Sequence, residues 1–252
     1  MTVKKVGFLG CGKIGSSLLS HVSGKSDAQP VFIQDPFFPA EGAPCPVIRQ
    51  AEPQLYRKAD LIVECATADV LKADISMILT HCDLLMFSVT AFSDESFEQE
   101  ALELCQRYGR RIYLPHGAIL GMDGLYDARP LLREVRVTTT KSPKSLGLPD
   151  GELTVVYEGP TRSACQKFPR NVNVHAAVAL AGMGFDQTLS RIIADPGVTT
   201  NSHLIEVIGE GIHFTIQVAS TAGEGVTGAY TPVSACGSLD RVLEKKAGCL
   251  FV

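Results

Sequence analysis

The chain has 252 residues, of which 45% are hydrophobic and 20% charged, and its formal net charge is −4. This length and apolar content are enough to bury one large core or two smaller ones. The mild acidic balance argues against the strong positive patch by which proteins bind nucleic acids or anionic membrane surfaces. The N-terminal residues lack the pattern of a secretory signal, and no apolar run reaches the roughly 18 residues of a membrane span, so we expect a cytoplasmic protein.

The first half of the chain alternates short apolar runs with helical patterns. Five runs predict buried strands, at residues 3–9, 31–35, 61–66, 84–89 and 112–114. Helices are predicted at 16–22 and 93–108, the second with Ser93 or Asp94 as its N-cap and Gly109 as its stop. Apolar strands that alternate with helices indicate a parallel sheet with helices on both faces.

The pattern changes after residue 117. Further strands are predicted at 135–140, 153–157, 203–208 and 212–218, and helices at 175–181 and 233–243. The glycines of Gly209-Glu210-Gly211 are typical of a hairpin turn between the last two strands. We therefore expect a smaller α+β domain with an antiparallel sheet at 118–222, for substrate binding and dimerisation. The boundary lies at Ala222-Gly223-Glu224-Gly225, and residues 1–117 and 223–252 form the other domain.

A glycine-rich segment, Gly10-Cys11-Gly12-Lys13-Ile14-Gly15, separates the first predicted strand from the first helix. In this GxGxxG spacing, the first glycine permits a tight turn, the second lets the backbone approach a pyrophosphate, and the third lets helix and strand pack closely. The amides and dipole of the helix N-terminus then bind the anion. Asp35 follows about 20 residues later, where a carboxylate accepts hydrogen bonds from the adenosine ribose. The sequence thus predicts a Rossmann domain, a doubly wound parallel sheet that binds a nicotinamide dinucleotide.

The residues after Asp35 bear on the choice of dinucleotide. Pro36, Phe37 and Phe38 follow it, with no arginine to hold a 2′-phosphate, so we predict NAD in preference to NADP. Ligands of such sheets bind beyond the carboxyl ends of the strands. We expect the residues at those ends to line the nicotinamide half of the site: Ala66, Thr67, Ser88, Thr90 and residues 115–118, in which Gly117 and Ala118 allow a close approach.

A base that works near neutrality is most often a histidine. The chain has six: His21, His81, His116, His175, His203 and His213. We predict surface positions for His21 and His81, a polar strand face for His213, and a packing or capping role for His175. His203 is the strongest candidate base because it opens a predicted strand directly after the polar turn at 199–202, where a rigid sheet can aim it into a cleft. His116, at a strand end, is the other candidate site residue.

The segment Phe168-Pro169-Arg170-Asn171-Val172-Asn173 supplies further polar candidates. Asn173 either caps the following helix or presents its amide to the cofactor. Lys141 and Arg170 are the basic residues considered for a substrate carboxylate, with solvated surface charges as the alternative. We group Lys141, Arg170, Asn171 and His116 as the candidate substrate-binding residues.

Eight cysteines are spread along the chain. None forms a CxxC pair or lies at zinc-like spacing from a histidine, so no metal site is predicted. Several fall inside apolar runs, and we expect unpaired buried thiols in a reducing compartment rather than disulfides.

Six segments occur in the order that resembles the L-aspartate dehydrogenase family, over about residues 4–220. They are the GxGxxG loop, Gly117-Ala118-Ile119 with Gly121 and Asp123-Gly124-Leu125, Lys141-Ser142-Pro143, Tyr157-Glu158-Gly159, Phe168 to Val174, and Asn201-x-His203-x-Ile205-x-Val207. The FPxNxN and NxHxIxV segments are the specific ones, since many families share the glycine loop. The family often carries an Asn-Pro-Lys-Thr-Ser-like segment where this chain has Gly225-Val226-Thr227-Gly228-Ala229-Tyr230.

The resemblance implies NAD(P)-dependent oxidative deamination of L-aspartate through iminosuccinate to oxaloacetate and ammonia, or the reverse reaction, in a homodimer. By position, His203 matches the family's catalytic histidine, and Asn173 and Ala118 match nicotinamide-side residues. His203 would activate the water that attacks the imine, or shuttle the proton. Iminosuccinate could feed pyridine nucleotide biosynthesis or arise in aspartate catabolism, and the residues do not choose between these.

Two other interpretations stay open from the residues alone. One is a related two-domain amino-acid or imine reductase, resembling dihydrodipicolinate reductase or homoserine dehydrogenase; the paired histidines and lysine expected of the former are missing. The other is a non-catalytic sensor that binds NAD, since a fold does not determine a function. The presence of both His203 and the FPxNxN segment argues against the sensor.

Overall fold

The computed structural model describes residues 3–149, 151–220 and 229–243. Their contacts divide the chain into two compact units, one that runs to Pro115 and resumes at Pro232, and one from His116 to Thr231. The boundary predicted at residues 222 and 223 lies outside the described residues, as do Cys249 and most of the divergent segment that begins at Gly225.

The first unit is built on a six-stranded sheet in the order β3-β2-β1-β4-β5-β6. Its strands are β1 (Lys4–Leu9), β2 (Ala28–Gln34), β3 (Val47–Ile48), β4 (Leu61–Glu64), β5 (Asp83–Met86) and β6 (Ile112–Tyr113). Every neighbouring pair is parallel. The strand order reverses between β1 and β4, which is the switch point where doubly wound sheets bind ligands. The predicted Rossmann topology is confirmed, with the short edge strand β3 as an addition.

Helices of the first unit begin and end at identifiable residues. They are α1 (Lys13–Ser23), α2 (Pro53–Tyr56), α3 (Ala68–His81) and α4 (Glu95–Tyr108), with a 3₁₀ turn at Val89–Ser93. Of the two predicted caps of α4, Asp94 is the one used: its carboxylate accepts the amides of Ser96 and Phe97. Gly109 ends the helix at φ +64°, in the left-handed region that glycine enters without strain.

The second unit contains a five-stranded sheet in the order β11-β10-β7-β9-β8. Its elements are α5 (Met122–Asp127), β7 (Leu132–Lys141), β8 (Thr154–Pro160), α6 (Thr161–Lys167), α7 (Asn173–Ala181), β9 (Leu189–Ala194), β10 (Asn201–Gly209) and β11 (Ile212–Ser220), with 3₁₀ turns at Arg129–Leu131 and Pro143–Leu146. The hairpin between β10 and β11 is confirmed, since Gly209 pairs with Ile212.

The prediction of an antiparallel sheet is wrong for one pair, because β7 and β9 run parallel. Strand β9 was not predicted from the sequence, and without it the neighbour of β7 could not be identified. The connection from β7 to β9 contains β8, α6 and α7. A crossover of this kind returns the chain to the sheet in the same direction, which a short hairpin cannot do. The unit is therefore α+β with a mixed sheet.

One face of this sheet changes character along β7. Buried residues alternate along the strand, and the first two, Val135 and Val137, join an apolar core with Ile205 and Val207 of β10. Residues two apart in a strand share a face. The next positions on this face are Thr139 and Lys141, which are also buried. The apolar core thus passes directly into a polar end of the same face.

The last helix, α8 (Tyr230–Leu243), packs onto the first unit. Ala235, Leu239 and Leu243 lie in the core that also contains β1 and α1. Asp240 accepts from Nε2 of His21 at 2.8 Å and Nζ of Lys25 at 3.0 Å. His21 is partly exposed, which is compatible with the predicted surface position, and its side chain also holds α8 to α1.

No disulfide joins the seven cysteines in the described ranges, in agreement with the prediction of unpaired thiols. Only Cys11, Cys82 and Cys165 are fully buried, whereas the other four are half-buried. Among the helices that the structure describes, none is both long and apolar enough to cross a membrane.

Candidate active site

The glycine loop joins β1 to α1, and the reason for a glycine differs among its three glycine positions. A Cβ on Gly10 would lie 2.6 Å from the amide nitrogen of Ala66, and Gly10 has φ +83°. A Cβ on Gly15 would lie 2.5 Å from the carbonyl oxygen of Gly10. Both glycines are therefore required by the packing of the protein itself. Gly12 is not, because a Cβ there would meet nothing within 4 Å.

The open space at Gly12 faces the start of α1. Gly12 is the N-cap residue of this helix, and no side chain caps it. A helix N-terminus without a capping side chain presents amides and a positive dipole to an anion. Lys13 is exposed and Ile14 half-buried in the first turn. The loop thus fits a dinucleotide pyrophosphate, which would occupy the space that a side chain at Gly12 would take.

Asp35, at the end of β2, clamps this loop. Its Oδ2 accepts the amide of Cys11 at 2.7 Å, and its Oδ1 accepts the amides of Phe37 at 2.7 Å and Phe38 at 3.0 Å. An ionised carboxylate has about four acceptor positions, of which three are used here. One therefore stays available for a ribose hydroxyl, and the same carboxylate fixes the shape of the loop around it.

An arginine also reaches this loop. Nη1 of Arg49 donates to the carbonyl oxygens of Asp35 at 2.6 Å and Phe38 at 2.8 Å. No arginine occurs in the three residues that follow Asp35. Arg49 comes instead from just beyond β3, the edge strand that the reading missed. An arginine therefore does lie beside Asp35, and the reason given for predicting NAD rather than NADP, that no arginine is near, is wrong.

The candidate nicotinamide-side residues of the first unit are organised by Glu64, which the sequence reading treated only as part of a strand. Its side chain is completely buried. Oε1 accepts the amide of Ala66 at 2.8 Å and the hydroxyl of Ser88 at 2.7 Å. Oε2 accepts the amides of Ser88 at 2.9 Å and Phe87 at 3.2 Å. Burial raises the pKa of Glu64, and these hydrogen bonds oppose the rise.

This arrangement ties the segment after β4 to the segment after β5. The amide of Ala66 and both the amide and hydroxyl of Ser88 are used within the protein. Thr67 caps α3, accepting the amide of Val70 at 3.4 Å. The signal available in the sequence was a carboxylate at the end of an otherwise apolar strand, which requires internal hydrogen bonds when buried.

In the second unit, the polar end of β7 carries the candidate chemistry. His203 pairs in register with Thr139, so both project from the same face of the sheet. The strand begins at Asn201, which makes His203 its third residue rather than its first. The turn predicted at 199–202 therefore ends before Asn201. His203 lies within the sheet and is 7% exposed.

His203 is hydrogen-bonded to a second histidine through Thr139. Nδ1 of His203 lies 2.8 Å from Oγ1 of Thr139, which lies 2.6 Å from Nε2 of His175. Nδ1 of His175 lies 2.8 Å from Oγ of Ser190. His175 is completely buried on α7. The prediction of a packing or capping role for His175 missed this connection, because its partners Thr139 and Ser190 come from distant parts of the chain.

Burial keeps both imidazoles neutral. Burial, with the nearby His203 and Lys141, lowers the pKa of His175 to about 3. Burial, with the positive charge of Lys141, lowers the pKa of His203 to about 4. Both rings are therefore uncharged near neutrality, and each has one nitrogen that carries a lone pair.

Lys141 lies at the same end of the face and is only 4% exposed. Its Nζ donates to Oδ1 of Asn171 at 3.2 Å and to the carbonyl oxygen of Asn171 at 3.4 Å. Within the described ranges, no carboxylate lies within ion-pair distance of this ammonium. Burial lowers the pKa of Lys141 to about 8. A buried ammonium with only neutral acceptors is suited to receive an anion.

The other candidates occupy less constrained positions in the second unit. Arg170 is exposed between α6 and α7. Asn173 is the first residue of α7, and Val172 occupies the N-cap position, so Asn173 lies one residue beyond the position of a cap. His116 and Ala118 are half-buried in a turn closed by the amide of Ile119, which donates to the carbonyl of His116 at 3.2 Å. His213 is exposed on β11, as predicted, and His81 is half-buried.

Comparison with known proteins identifies both parts of the chain. Residues 123–242 match the family model described as aspartate dehydrogenase, C-terminal. Residues 10–115 match the model described as homoserine dehydrogenase, NAD binding domain. Together with the Rossmann topology, the second match identifies the cofactor class as a pyridine nucleotide.

Curated relatives that match over most of the chain give the same family, and solved structures give the same fold. The chain is 34% identical to an L-aspartate dehydrogenase of Methanococcoides burtonii, over 85% of this chain and 87% of that protein. It is 33% identical to L-aspartate dehydrogenase 1 of Bordetella pertussis, over 86% and 87%. The structure of an aspartate dehydrogenase from Thermotoga maritima matches all of both chains with a TM-score of 0.81 at 24% identity. A dihydrodipicolinate reductase from Paenisporosarcina, with a TM-score of 0.56 and 15% identity over 96% of this chain and 94% of that one, shares the fold alone. The identity and coverage of the curated relatives show that this chain belongs to the L-aspartate dehydrogenase family of oxidoreductases.

Proposed function

We propose that this protein catalyses the NAD(P)-dependent oxidative deamination of L-aspartate to oxaloacetate and ammonia, or the reverse reductive amination. The observation that carries the proposal is the pairing, on one face of the second sheet, of a neutral histidine with a buried ammonium that has only neutral partners. A base and an anion-binding group within one site are what a dicarboxylic amino acid requires for deamination.

Lys141 is proposed to bind a substrate carboxylate. Its ammonium is already desolvated, so a carboxylate that reaches it gains an interaction strengthened by the low local dielectric. Asn171 holds the ammonium through two contacts and can turn its amide toward the same carboxylate. Arg170 and His116 are the further candidates for contact with L-aspartate or oxaloacetate.

His203 is proposed to act as the base. When bound, the nicotinamide ring supplies the redox chemistry by accepting the hydride from Cα of the amino acid, which leaves iminosuccinate. His203 then takes a proton from the water that attacks the imine carbon and delivers it to the imine nitrogen, which gives the carbinolamine. Transfer of the hydroxyl proton to that nitrogen releases ammonia and leaves oxaloacetate. A general base of this kind typically contributes about 10²- to 10⁴-fold to the rate. The lowered pKa of His203 keeps it unprotonated and ready for this step.

The cofactor-binding assignments follow the geometry of each unit. In the first unit, Gly10, Gly12, Lys13, Ile14, Gly15 and Asp35 are proposed to hold the pyrophosphate and adenosine, and Ala66, Thr67 and Ser88 the nicotinamide side. In the second unit, Ala118 and Asn173 are the nicotinamide-side candidates. NAD is proposed in preference to NADP because the carboxylate of Asp35 would repel a 2′-phosphate. Arg49, with two carbonyl partners in this loop, is the residue that could favour NADP if it turned outward.

We further propose that the protein is a cytoplasmic homodimer with domains at 1–117 plus 223–252 and at 118–222. The second sheet offers support for dimerisation: on the face opposite the core, Leu204 is half-buried and Ile208 is 46% exposed. Light scattering coupled to size-exclusion chromatography tests the oligomeric state, and a monomeric mass at micromolar concentration would refute the dimer.

The activity is tested by following the absorbance of reduced nicotinamide with NAD⁺ or NADP⁺ and a panel of L-aspartate, D-aspartate, L-glutamate and L-homoserine. Turnover confined to L-aspartate is the expected result. Turnover on another member of the panel would reassign the substrate within the same architecture. Tight NADH binding without turnover on any of them would refute the enzyme and favour an NAD-binding sensor.

A further inference from the structure

We propose that a directed chain of hydrogen bonds, from His203 to the backbone carbonyl of Thr188, fixes the imidazole of His203 in the tautomer that carries its proton on Nδ1. The chain consists of His203, Thr139, His175, Ser190 and Thr161, and we call it the hydroxyl–imidazole chain. It leaves Nε2 of His203 with its lone pair, as a base requires. The inference rests on the proposed function only in assigning His203 as that base.

The direction of the chain is set at its far end. Oγ1 of Thr161 lies 2.9 Å from the carbonyl oxygen of Thr188, and this bond can form only with the hydroxyl of Thr161 as donor. A carbonyl oxygen has no proton to give. The hydroxyl of Thr188 does not extend the chain, because it is buried without a hydrogen-bond partner among the described residues. The single proton of Thr161 is therefore committed to this carbonyl.

The donor and the acceptor of each following hydrogen bond are then fixed. Oγ of Ser190 lies 2.7 Å from Oγ1 of Thr161, whose proton is already used, so Ser190 donates to it. The proton of Ser190 is now committed in turn, so Nδ1–H of His175 donates to Ser190 across 2.8 Å. In a neutral imidazole, one nitrogen carries the proton and the other accepts. Nε2 of His175 consequently accepts.

The same logic completes the chain at His203. Thr139 donates to Nε2 of His175 across 2.6 Å. Its own oxygen then accepts from Nδ1–H of His203 across 2.8 Å. This hydrogen bond strengthens as His203 takes a proton on Nε2, because the donor becomes cationic. No hydrogen-bond partner of Nε2 occurs in the part of the chain that the structure describes.

Burial makes the direction persistent. The side chains of Thr161, His175 and Ser190 are completely buried, and Thr139 is 1% exposed. Water therefore has no room to insert a link that would reverse the order of donors. A cationic His175 would also break the order, but burial lowers the pKa of His175 to about 3 and keeps it neutral. The chain ends at a carbonyl, so it holds a tautomer and does not carry protons away. Thr139, His175, Ser190 and Thr161 are in this sense positioning residues.

The tautomer can be measured directly. Two-bond ¹H–¹⁵N correlation spectra of the full-length protein labelled with ¹⁵N-histidine, without cofactor, distinguish Nδ1–H from Nε2–H. Signals are assigned from His203→Gln and His175→Gln. The expected result near neutrality is Nδ1–H for both His175 and His203 in the wild type. An Nε2–H form of His203 in the wild type would overturn the proposal without any variant.

Two pairs of variants test the links. Thr139→Val removes the acceptor of Nδ1–H, whereas Thr139→Ser keeps it. Thr161→Val removes the link to the terminal carbonyl, whereas Thr161→Ser keeps it, and this site lies four hydrogen bonds from His203. We expect an increased Nε2–H population of His203 in both valine variants and a wild-type spectrum in both serine variants. We also expect kcat with L-aspartate to fall at least about tenfold in Thr139→Val with little change in KM, and to recover in Thr139→Ser.

The two proposals fail separately. An unchanged His203 tautomer in both valine variants, with the fold intact by circular dichroism, would refute the chain even if L-aspartate is turned over. The expected tautomers in a protein that does not oxidise L-aspartate would support the chain and refute the proposed function.

Discussion

Replacing Lys141 with methionine is expected to stabilise the fold while it weakens substrate binding. Methionine keeps most of the apolar volume of the lysine stem and removes the buried ammonium. Burial lowers the pKa of Lys141 from 10.5 to about 8. Each pKa unit corresponds to about 1.4 kcal/mol, so burying the charge costs about 3 kcal/mol at neutral pH. In Lys141→Met this cost is removed, but the oxygens of Asn171 lose their hydrogen-bond donor, which destabilises the variant by about 1 kcal/mol. The expected net stabilisation is about 2 kcal/mol.

The free energy of unfolding is measured by urea denaturation for the wild type, for Lys141→Met and for Lys144→Met, which removes an exposed lysine and serves as the control. The pH dependence gives a second check. Because the pKa of folded Lys141 is depressed, the unfolded chain binds more protons between pH 8 and 10.5, and the wild type gains stability as pH rises through that window. The advantage of Lys141→Met should shrink across it. Lys141→Met should also weaken competitive inhibition by succinate at least about 30-fold at neutral pH.

Either of two results would refute this reasoning. Destabilisation of Lys141→Met by about 2 kcal/mol would mean that the lysine is structurally useful rather than strained. An advantage that does not change with pH would mean that the ammonium is not desolvated. Unchanged inhibition by succinate would separately remove Lys141 from the substrate site.

Three further predictions concern the cofactor loop and the histidines. Gly12→Ala should leave the free energy of unfolding within about 0.5 kcal/mol of the wild type, because its Cβ meets only open space, but should weaken NADH binding; Gly15→Ala should destabilise the fold. An NADH affinity of Gly12→Ala equal to that of the wild type, measured by calorimetry, would contradict the assignment of this loop to the cofactor. Asp35→Ala should shift the ratio of kcat/KM toward NADP⁺, and an unchanged ratio would contradict the role of Asp35. Because the pKa values of His175 and His203 are lowered to about 3 and 4, stability is fully present above the ordinary histidine pKa and is lost as pH falls below about 6.5. The slope of unfolding free energy between about pH 5 and pH 7 should therefore be shallower in His175→Gln than in the exposed control His213→Gln, with equal slopes as the contrary result.

Local patterns were enough for the Rossmann sheet and the caps of α4. Strands buried on both faces have continuous apolar runs, and Asp94 and Gly109 mark the helix ends by their own chemistry. The two-residue strand β3 has too few positions to show a period, so the sequence reading missed it. The arginine that follows β3 was missed with it, which is why Arg49 was not expected beside Asp35.

The site of the second unit shows where sequence reasoning stops. His203 and Lys141 could be singled out by residue type, since each carries chemistry on its own. Thr139 and Ser190 could not, because a hydroxyl acquires a role only from its neighbours in space. Their connection to His175 depends on the register of β7 with β10 and on the parallel pairing of β7 with β9. No strand was predicted at β9, so the sequence pattern gave no basis for this pairing.

The central proposal is that His203 is the base in L-aspartate turnover. The most direct measurement is the steady-state rate of NAD⁺ reduction with L-aspartate for the wild type and His203→Gln, with circular dichroism and NADH affinity as checks that the variant is folded. We expect kcat to fall about 10²- to 10⁴-fold in His203→Gln, with NADH affinity retained. A folded variant with kcat near that of the wild type would contradict it.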